Sequence, residues 1–176
     1  MKKMVISVLI FMVLVMGITF LLITLYTPIE TPDAFDGSGF TLSDAGTSEP
    51  CQIHLGGTLS SYRFGLKPPS FSSNPLYSTQ GLIINDSRYL GKFVVGWPNE
   101  DSNYVTYISD GTRFYTDRNL SFVVAILPKK HGVGSIAIAP AASEEDALTL
   151  LEQLTASEQF KNRSPASWEY LRTYLK

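Results

Sequence analysis

The sequence predicts an α+β protein: an N-terminal transmembrane helix, then an antiparallel β-sheet domain with C-terminal helices packed on one face. Three observations support this prediction. Residues 4–26 carry no charged side chain, strand-like segments separated by turn signals extend to residue 139, and helical periodicity appears only after Ser143. Strands followed by helices are typical of α+β folds.

The apolar segment at residues 4–26 is long enough to cross a bilayer. As a helix it would rise about 34 Å, against a hydrocarbon core of roughly 30 Å. A cleaved signal peptide has a shorter apolar region of about 7–15 residues, so residues 1–26 are predicted to be an uncleaved signal anchor. Lys2 and Lys3 precede the segment, and no further Lys or Arg follows before Arg63. The positive-inside rule therefore predicts a single-pass protein with a cytoplasmic N-terminus and an extracytoplasmic C-terminal domain.

The composition after the anchor predicts a linker followed by one domain. Residues 27–50 contain five acids, no base and several Pro, Gly and Ser residues, which is typical of a solvated linker. Residues 51–176 contain 12 basic and 11 acidic residues and are long enough to build a core. This near-neutral balance argues against nucleic acid as a partner, because phosphate binding needs a surplus of positive charge.

Strand signals fill the first part of the domain. Alternation at residues 58–64 predicts a strand, and the turn residues at 85–87 and at Asp110-Gly111 each predict a hairpin. The continuous apolar segment 122–127 predicts a strand buried on both faces, and residues 135–139 predict a further strand. The connections are too short for crossover helices, so we expect an antiparallel sheet.

Two helices are predicted near the C-terminus. The first begins after Ser143, with acidic residues in its first turn and apolar residues at helical spacing. Its apolar face consists of Ala147, Leu150, Leu151 and Leu154. The second begins at Ser164-Pro165, an N-cap followed by Pro at the first helical position. Its stripe consists of Trp168, Leu171 and Leu175, with Tyr170 and Tyr174 beside it.

Cys51, His54 and His131 are the candidate metal ligands. A thiolate and imidazole nitrogens suit copper or zinc. A closed zinc site uses four ligands, however, and the chain has one Cys, two His and four Met that all lie at or within the anchor. Binding of a metal or small ligand is therefore an alternative function, which requires these three residues to converge. No resident cofactor is predicted.

Lys129, Lys130 and His131 form a basic loop beside two glycines. They are candidate anion-binding residues, because positive side chains and exposed backbone amides both attract anions. An ordinary hairpin loop, whose lysines keep a sheet edge soluble, is the favoured interpretation of the same residues.

No catalytic residue is predicted. Nucleophilic catalysis needs a nucleophile beside a base that a third group orients. Cys51 with His54 or His131 and a nearby acid is chemically conceivable, but the exported part has no nucleophile-elbow or Ser–Lys signature. The sequence therefore favours a protein that is not an enzyme, and a membrane-tethered hydrolase is the second alternative.

Aromatic residues supply the candidate partner-binding surface. Aromatic side chains interleaved with basic ones suit a protein-binding hot spot, although strands also prefer aromatics for packing. The candidates lie in the Asp110-Gly111 hairpin and the last helix: Tyr104, Tyr107, Phe114, Tyr115, Trp168, Tyr170 and Tyr174. The leading hypothesis is an anchored extracytoplasmic accessory protein that binds another envelope or membrane protein.

Overall fold

A computed structural model describes residues 2–61, 76–90, 93–96, 105–109, 111–117 and 119–176 of the chain. Helix α1 (Lys2–Tyr26) comes first. The strands that follow are β1 (Ile29–Ser43), β2 (Ser48–Ser61), β3 (Leu76–Ile84), β4 (Ser87–Leu90), β5 (Phe93–Gly96), β6 (Val105–Ser109), β7 (Thr112–Thr116), β8 (Val123–Lys130) and β9 (Val133–Ala139). Helices α2 (Glu144–Ala156), α3 (Glu158–Arg163) and α4 (Pro165–Arg172) and a 3-10 turn (Thr173–Leu175) complete the described chain.

The strands form one antiparallel sheet. Its order is β4-β3-β2-β1-β9-β8-β7-β6, and β5 pairs with β3 beside this path. Strands β1 to β4 form one meander and β6 to β9 another, and the two meet where β1 pairs with β9. An antiparallel sheet followed by helices confirms the predicted α+β fold.

The sheet curls so that it buries one of its own faces, which we call the inner face. Residues of β2 and β3 share a buried cluster there with residues of β7, β8 and β9, although these strands are far apart in the sheet order. The cluster consists of Phe35, Cys51, Ile53, Leu55, Leu82, Ile84, Phe114, Leu120, Val123, Ala125, Leu127, Ala137 and Ala139.

The opposite face, which we call the helix face, is covered by the C-terminal helices. Its buried cluster consists of Leu42, Tyr115, Val124, Ile136, Ile138, Ala141, Ala147, Leu151, Leu154, Phe160 and Leu171. Strand β8 contributes to both clusters by alternation, with Val123 and Ala125 on the inner face and Val124 on the helix face. The prediction that residues 122–127 are buried on both faces is thus confirmed for most of the segment.

The linker predicted at residues 27–50 is wrong. Residues 29–43 form β1, which pairs with β2 from Ile29↔Ser61 to Leu42↔Ser48. The segment looks polar because most of its outward positions are solvated and because glycines occupy the inward positions 37 and 39, where a strand usually carries apolar residues. A Cβ on Gly39 would lie 1.9 Å from the Ile138 carbonyl oxygen, so the close approach of β9 requires glycine there.

The turns and helix starts predicted from neighbouring residues are present in the structure. Asn85 and Asp86 have φ of 46° and 62°, and Gly111 has φ of 79°, in the turns where hairpins were predicted. Ser143 caps α2, with its hydroxyl accepting from the Asp146 amide at 3.1 Å. Pro165 opens α4 as predicted, although the Ser164 side chain makes no capping bond. Helix α3 was not predicted.

Candidate functional site

One helix of the described chain is long and apolar enough to cross a membrane, at Ile6–Tyr26. Its two threonine side chains form hydrogen bonds within the helix. The hydroxyl of Thr19 donates to the Val15 carbonyl at 2.8 Å, and the hydroxyl of Thr24 donates to the Phe20 carbonyl at 2.9 Å. Such bonds allow a Thr side chain to lie in hydrocarbon without an unpaired donor.

The structure does not bring the three candidate metal ligands together. Cys51 and His54 lie three residues apart on β2, so strand alternation directs their side chains to opposite faces. Cys51 is buried on the inner face, whereas His54 is solvated. His131 lies in the exposed β8–β9 turn. Within the described residues no group of three or more His, Cys, Asp or Glu side chains is arranged to hold a metal ion.

Cys51 has the surroundings of a core residue. It is 4% exposed, and burial raises the pKa of its thiol above the ordinary value, with a smaller opposing effect from the Thr41 side chain. Because reactive thiols need a lowered pKa and access to solvent, this environment suppresses metal binding and nucleophilic chemistry at Cys51.

His54 pairs with Asp36 directly across strands β1 and β2. The Nδ1 atom lies 2.7 Å from Asp36 Oδ1, and the two side chains are 44% and 76% exposed. The pair resembles the base and orienting acid of a catalytic triad in its hydrogen bond alone. Such a solvated cross-strand pair contributes about 0.2–1 kcal/mol to a sheet, so a structural contribution explains it.

The basic loop is a two-residue hairpin turn. His131 and Gly132 have φ of 52° and 84°, and Lys129 and Lys130 belong to the end of β8. The nearby Gly134 amide already donates to Asp44 Oδ2 at 2.9 Å, so a carboxylate of the chain itself uses this backbone donor. The geometry of the turn matches the ordinary hairpin interpretation.

The hairpin aromatics are not a contact surface where the structure describes them. Phe114 and Tyr115 are both 0% exposed, one on the inner face and one on the helix face. Their assignment as partner-binding residues is therefore wrong, because the curled sheet and the helices bury both sides of β7. Tyr104 lies outside the described residues, and for Tyr107 only the backbone, in β6, is described.

The aromatics of the last helix are half-buried and held firmly. The Trp168 indole N–H donates to the Thr155 carbonyl at 2.7 Å, which ties α4 to the end of α2. Lys161 Nζ and Arg172 Cζ lie 5.1 Å and 4.7 Å from the Trp168 ring centroid.

Tyr170 and Tyr174 form an edge-to-face pair with their hydroxyls 2.7 Å apart. Burial raises the pKa of Tyr174 far above its usual range, and the hydrogen bond between the Tyr174 and Tyr170 hydroxyls adds to this effect. Tyr174 therefore stays neutral at physiological pH, and the tyrosine pair packs the end of α4.

A pocket of about 320 Å³ lies between β7, β8 and the first turn of α4. Two cationic residues line it, Arg113 and Lys129, and no acidic side chain does so among the described residues. The Arg113 Nη1 atom donates to the Ser167 hydroxyl at 2.9 Å. This pocket includes one residue of the predicted anion-binding loop but lies away from the turn itself.

Arg113 occupies an unusual position in the sheet. The strand register places Leu42, Ile136, Ile126 and Arg113 side by side in one row across β1, β9, β8 and β7. The bond to Ser167 shows that Arg113 points to the helix face, where the other three residues of the row pack against helices. A partly buried guanidinium therefore continues a row that is otherwise aliphatic.

Sequence reasoning missed the importance of Arg113 and Ser167. In the sequence Arg113 is one of several bases interleaved with aromatics, and Ser167 is an ordinary helix residue 54 positions later. The available signal was alternation, because the residues flanking an inward Phe114 must face the helices.

Comparisons with protein-family models, curated proteins and solved structures found no match to this chain.

Proposed function

We propose that this protein is a single-pass membrane protein whose extracytoplasmic domain acts by binding another membrane or envelope protein. The observation that supports it most is the short connection between α1 and β1. Only Thr27 and Pro28 separate the two elements, and three residue steps cover at most about 11 Å. A domain anchored through α1 is therefore held at the bilayer surface, within reach of membrane-bound partners.

The short connection changes how the anchor would assist binding. A long flexible linker raises the effective concentration of a domain near its partner but leaves its orientation free. A two-residue connection restricts orientation as well, so less freedom is lost when a partner binds. The positions of Lys2 and Lys3 before the span support the orientation with the sheet outside the cytoplasm.

Helix α4 is the favoured contact surface. Trp168 is fixed by its bond to the Thr155 carbonyl and by two flanking cations, while Glu169 and Arg172 beside it are exposed. Fixed aromatic residues surrounded by charged ones are typical of interface hot spots, because little side-chain entropy is lost on binding.

The test is purification of the tagged full-length protein from its native membrane in a mild detergent, followed by mass spectrometry and metal analysis. We expect a stoichiometric membrane or envelope protein that is lost with Glu169→Arg, which reverses the charge beside Trp168. The matched control is Glu152→Arg, the same change on the exposed side of α2, and it should retain the partner.

Two results would contradict the proposal. The first is a protein that purifies without a stoichiometric partner at expression levels near native. The second is near-equimolar copper or zinc, which would favour the metal-binding alternative in spite of the separation of Cys51, His54 and His131.

A further inference from the structure

We propose that the pocket between β7, β8 and the first turn of α4 binds a small soluble oxyanion, a phosphate- or carboxylate-bearing molecule, with Arg113 as its main contact. This inference does not depend on a protein partner. It rests on the position of Arg113, on the second cation that lines the pocket, and on the place of the pocket along the sheet.

Among the residues that the structure describes, no acidic side chain pairs with the charge of Arg113. A guanidinium has five N–H donors and always carries a positive charge. Within the described residues Arg113 forms no ion pair, and its hydrogen bond goes to the neutral hydroxyl of Ser167. Partial burial of a charge is costly unless it is paired, and a bound oxyanion would supply charge-assisted bonds to the remaining donors.

Other groups at the pocket suit the same ligand. Lys129 contributes a second positive charge from the solvent side. The first turn of α4 presents Ala166 and Ser167 to the pocket, and the Ser164 side chain makes no capping bond to this turn. Backbone amides and the helix dipole at an uncapped helix start favour an anion, which adds to the effect of the two side chains.

The position of the pocket favours a soluble anion over a lipid headgroup. The row that contains Arg113 begins at Leu42 on β1, 13 positions after Ile29 at the anchor end of that strand. The 13 residue steps from Ile29 to Leu42 cover about 43 Å at 3.3 Å per residue, and less where the strand curls. The pocket between β7, β8 and α4 is therefore level with the end of β1 that is remote from the membrane helix.

The experiment uses the full-length protein in discs of zwitterionic lipid, titrated separately with inorganic phosphate and with succinate. Sodium chloride keeps the ionic strength constant, and thermal unfolding reports binding because a ligand of the folded state raises Tm. We expect saturable stabilisation by at least one of the two anions. The anion that saturates the protein at the lower concentration shows whether the ligand belongs to the phosphate or to the carboxylate class.

Three substitutions test the contacts. Arg113→Gln should weaken binding at least about tenfold, because it removes a charge-assisted bond from a partly buried site. Lys129→Gln should weaken it by no more than about fivefold, since an exposed cation contributes little. The matched control Arg163→Gln removes an exposed charge at the end of α3, outside the pocket, and should change nothing.

Ala166→Asp provides a second test of the pocket that does not depend on correct folding of the Arg113→Gln variant. Ala166 is exposed in the first turn of α4, where a carboxylate is compatible with the helix dipole. The new carboxylate should occupy the pocket, abolish anion-dependent stabilisation and leave the Tm without anion unchanged or higher. The proposal is overturned if neither anion saturates, if Arg163→Gln weakens binding as much as Arg113→Gln, or if Ala166→Asp binds normally.

Discussion

The two faces of the sheet are both buried, but they are built from different parts of the chain. The inner face is formed by the sheet itself, with residues that range from Phe35 to Ala139 in the chain, and these residues are mainly aliphatic. The helix face is formed by three consecutive helices on the second meander and β1, and it includes the edge-to-face pair Tyr115–Phe160 at 4.9 Å. The comparison indicates that the sheet needs its inner face in order to form. The helices that cover the helix face instead supply the surface that contacts solvent on that side.

The largest expected effect comes from truncating one core leucine on each face. Leu55 and Leu151 are each 0% exposed, so Leu55→Ala and Leu151→Ala should each lower the free energy of unfolding by about 2–5 kcal/mol. Unfolding by denaturant would be measured in uncharged detergent with two probes. Cys51 alkylation reports unfolding of the inner face. Trp168 fluorescence, in proteins that also carry Trp97→Phe, reports unfolding of the helix face.

The order of the two signals tests the comparison. With Leu151→Ala the Trp168 signal should change at a lower denaturant concentration while the Cys51 thiol stays protected. With Leu55→Ala both signals should change together, because helices cannot stay docked on an unfolded sheet. Coincident transitions in both variants would show instead that the two faces unfold as one unit.

A smaller effect is expected from the glycines of β1. Gly39→Ala should cost about 1–3 kcal/mol or more, because its Cβ would overlap the Ile138 carbonyl and β9 would have to move. Gly37→Ala is the matched control in the same strand, where the new Cβ meets the tip of the Phe35 side chain instead of backbone atoms. Equal losses in the two variants would indicate that the curl does not depend on the β1–β9 approach.

The smallest effect concerns alkaline pH and the inner face. Burial raises the pKa of Cys51 above the ordinary value of 9.0, so the unfolded chain loses this proton first as the pH rises. Below pH 9 both states hold the proton and the pKa difference has no effect on stability. Between pH 9 and the higher folded pKa, stability should fall by at most about 1.4 kcal/mol per pH unit.

Cys51→Ala isolates this contribution from that of other groups. The variant should show a shallower loss of stability above pH 9 than the parent protein, measured by denaturant midpoint at each pH. Tyr174 also has a raised pKa and remains in both proteins, so it cancels in the difference. Parallel curves for the two proteins would mean that the thiol is ionised equally in the folded and unfolded states.

The sequence predicted those elements whose signals are local. The Ser143 cap and the apolar face of α2 lie within one helix, and the hairpin turns are determined by residues that tolerate positive φ. Strand β1 was missed because its stability comes from β2 and β9, and Gly37 and Gly39 remove the alternation that would have revealed it. Local propensity cannot report such distant pairing.

The candidate site was less predictable than the fold, for the same reason. Lys129 was recognised from a local cluster of bases, but Arg113 joins it only through strand pairing and the docking of α4. Phe114 and Tyr115 were assigned to a surface because the sequence does not show that both sides of β7 are covered. A more careful use of alternation would have placed at least one of these two residues in a core.

The pairing of the first strand with the last has a consequence for the time at which the domain can be completed. Phe40 pairs with Ile138, 98 positions later in the chain. At a synthesis rate of roughly 5–20 residues per second, the partner of β1 is made about 5–20 s after β1 itself. During that interval the growing chain must keep an incomplete sheet edge from pairing elsewhere. Closure of the sheet is therefore a late event in the synthesis of the domain, because the β9 side of β1 stays unpaired until β9 has been made.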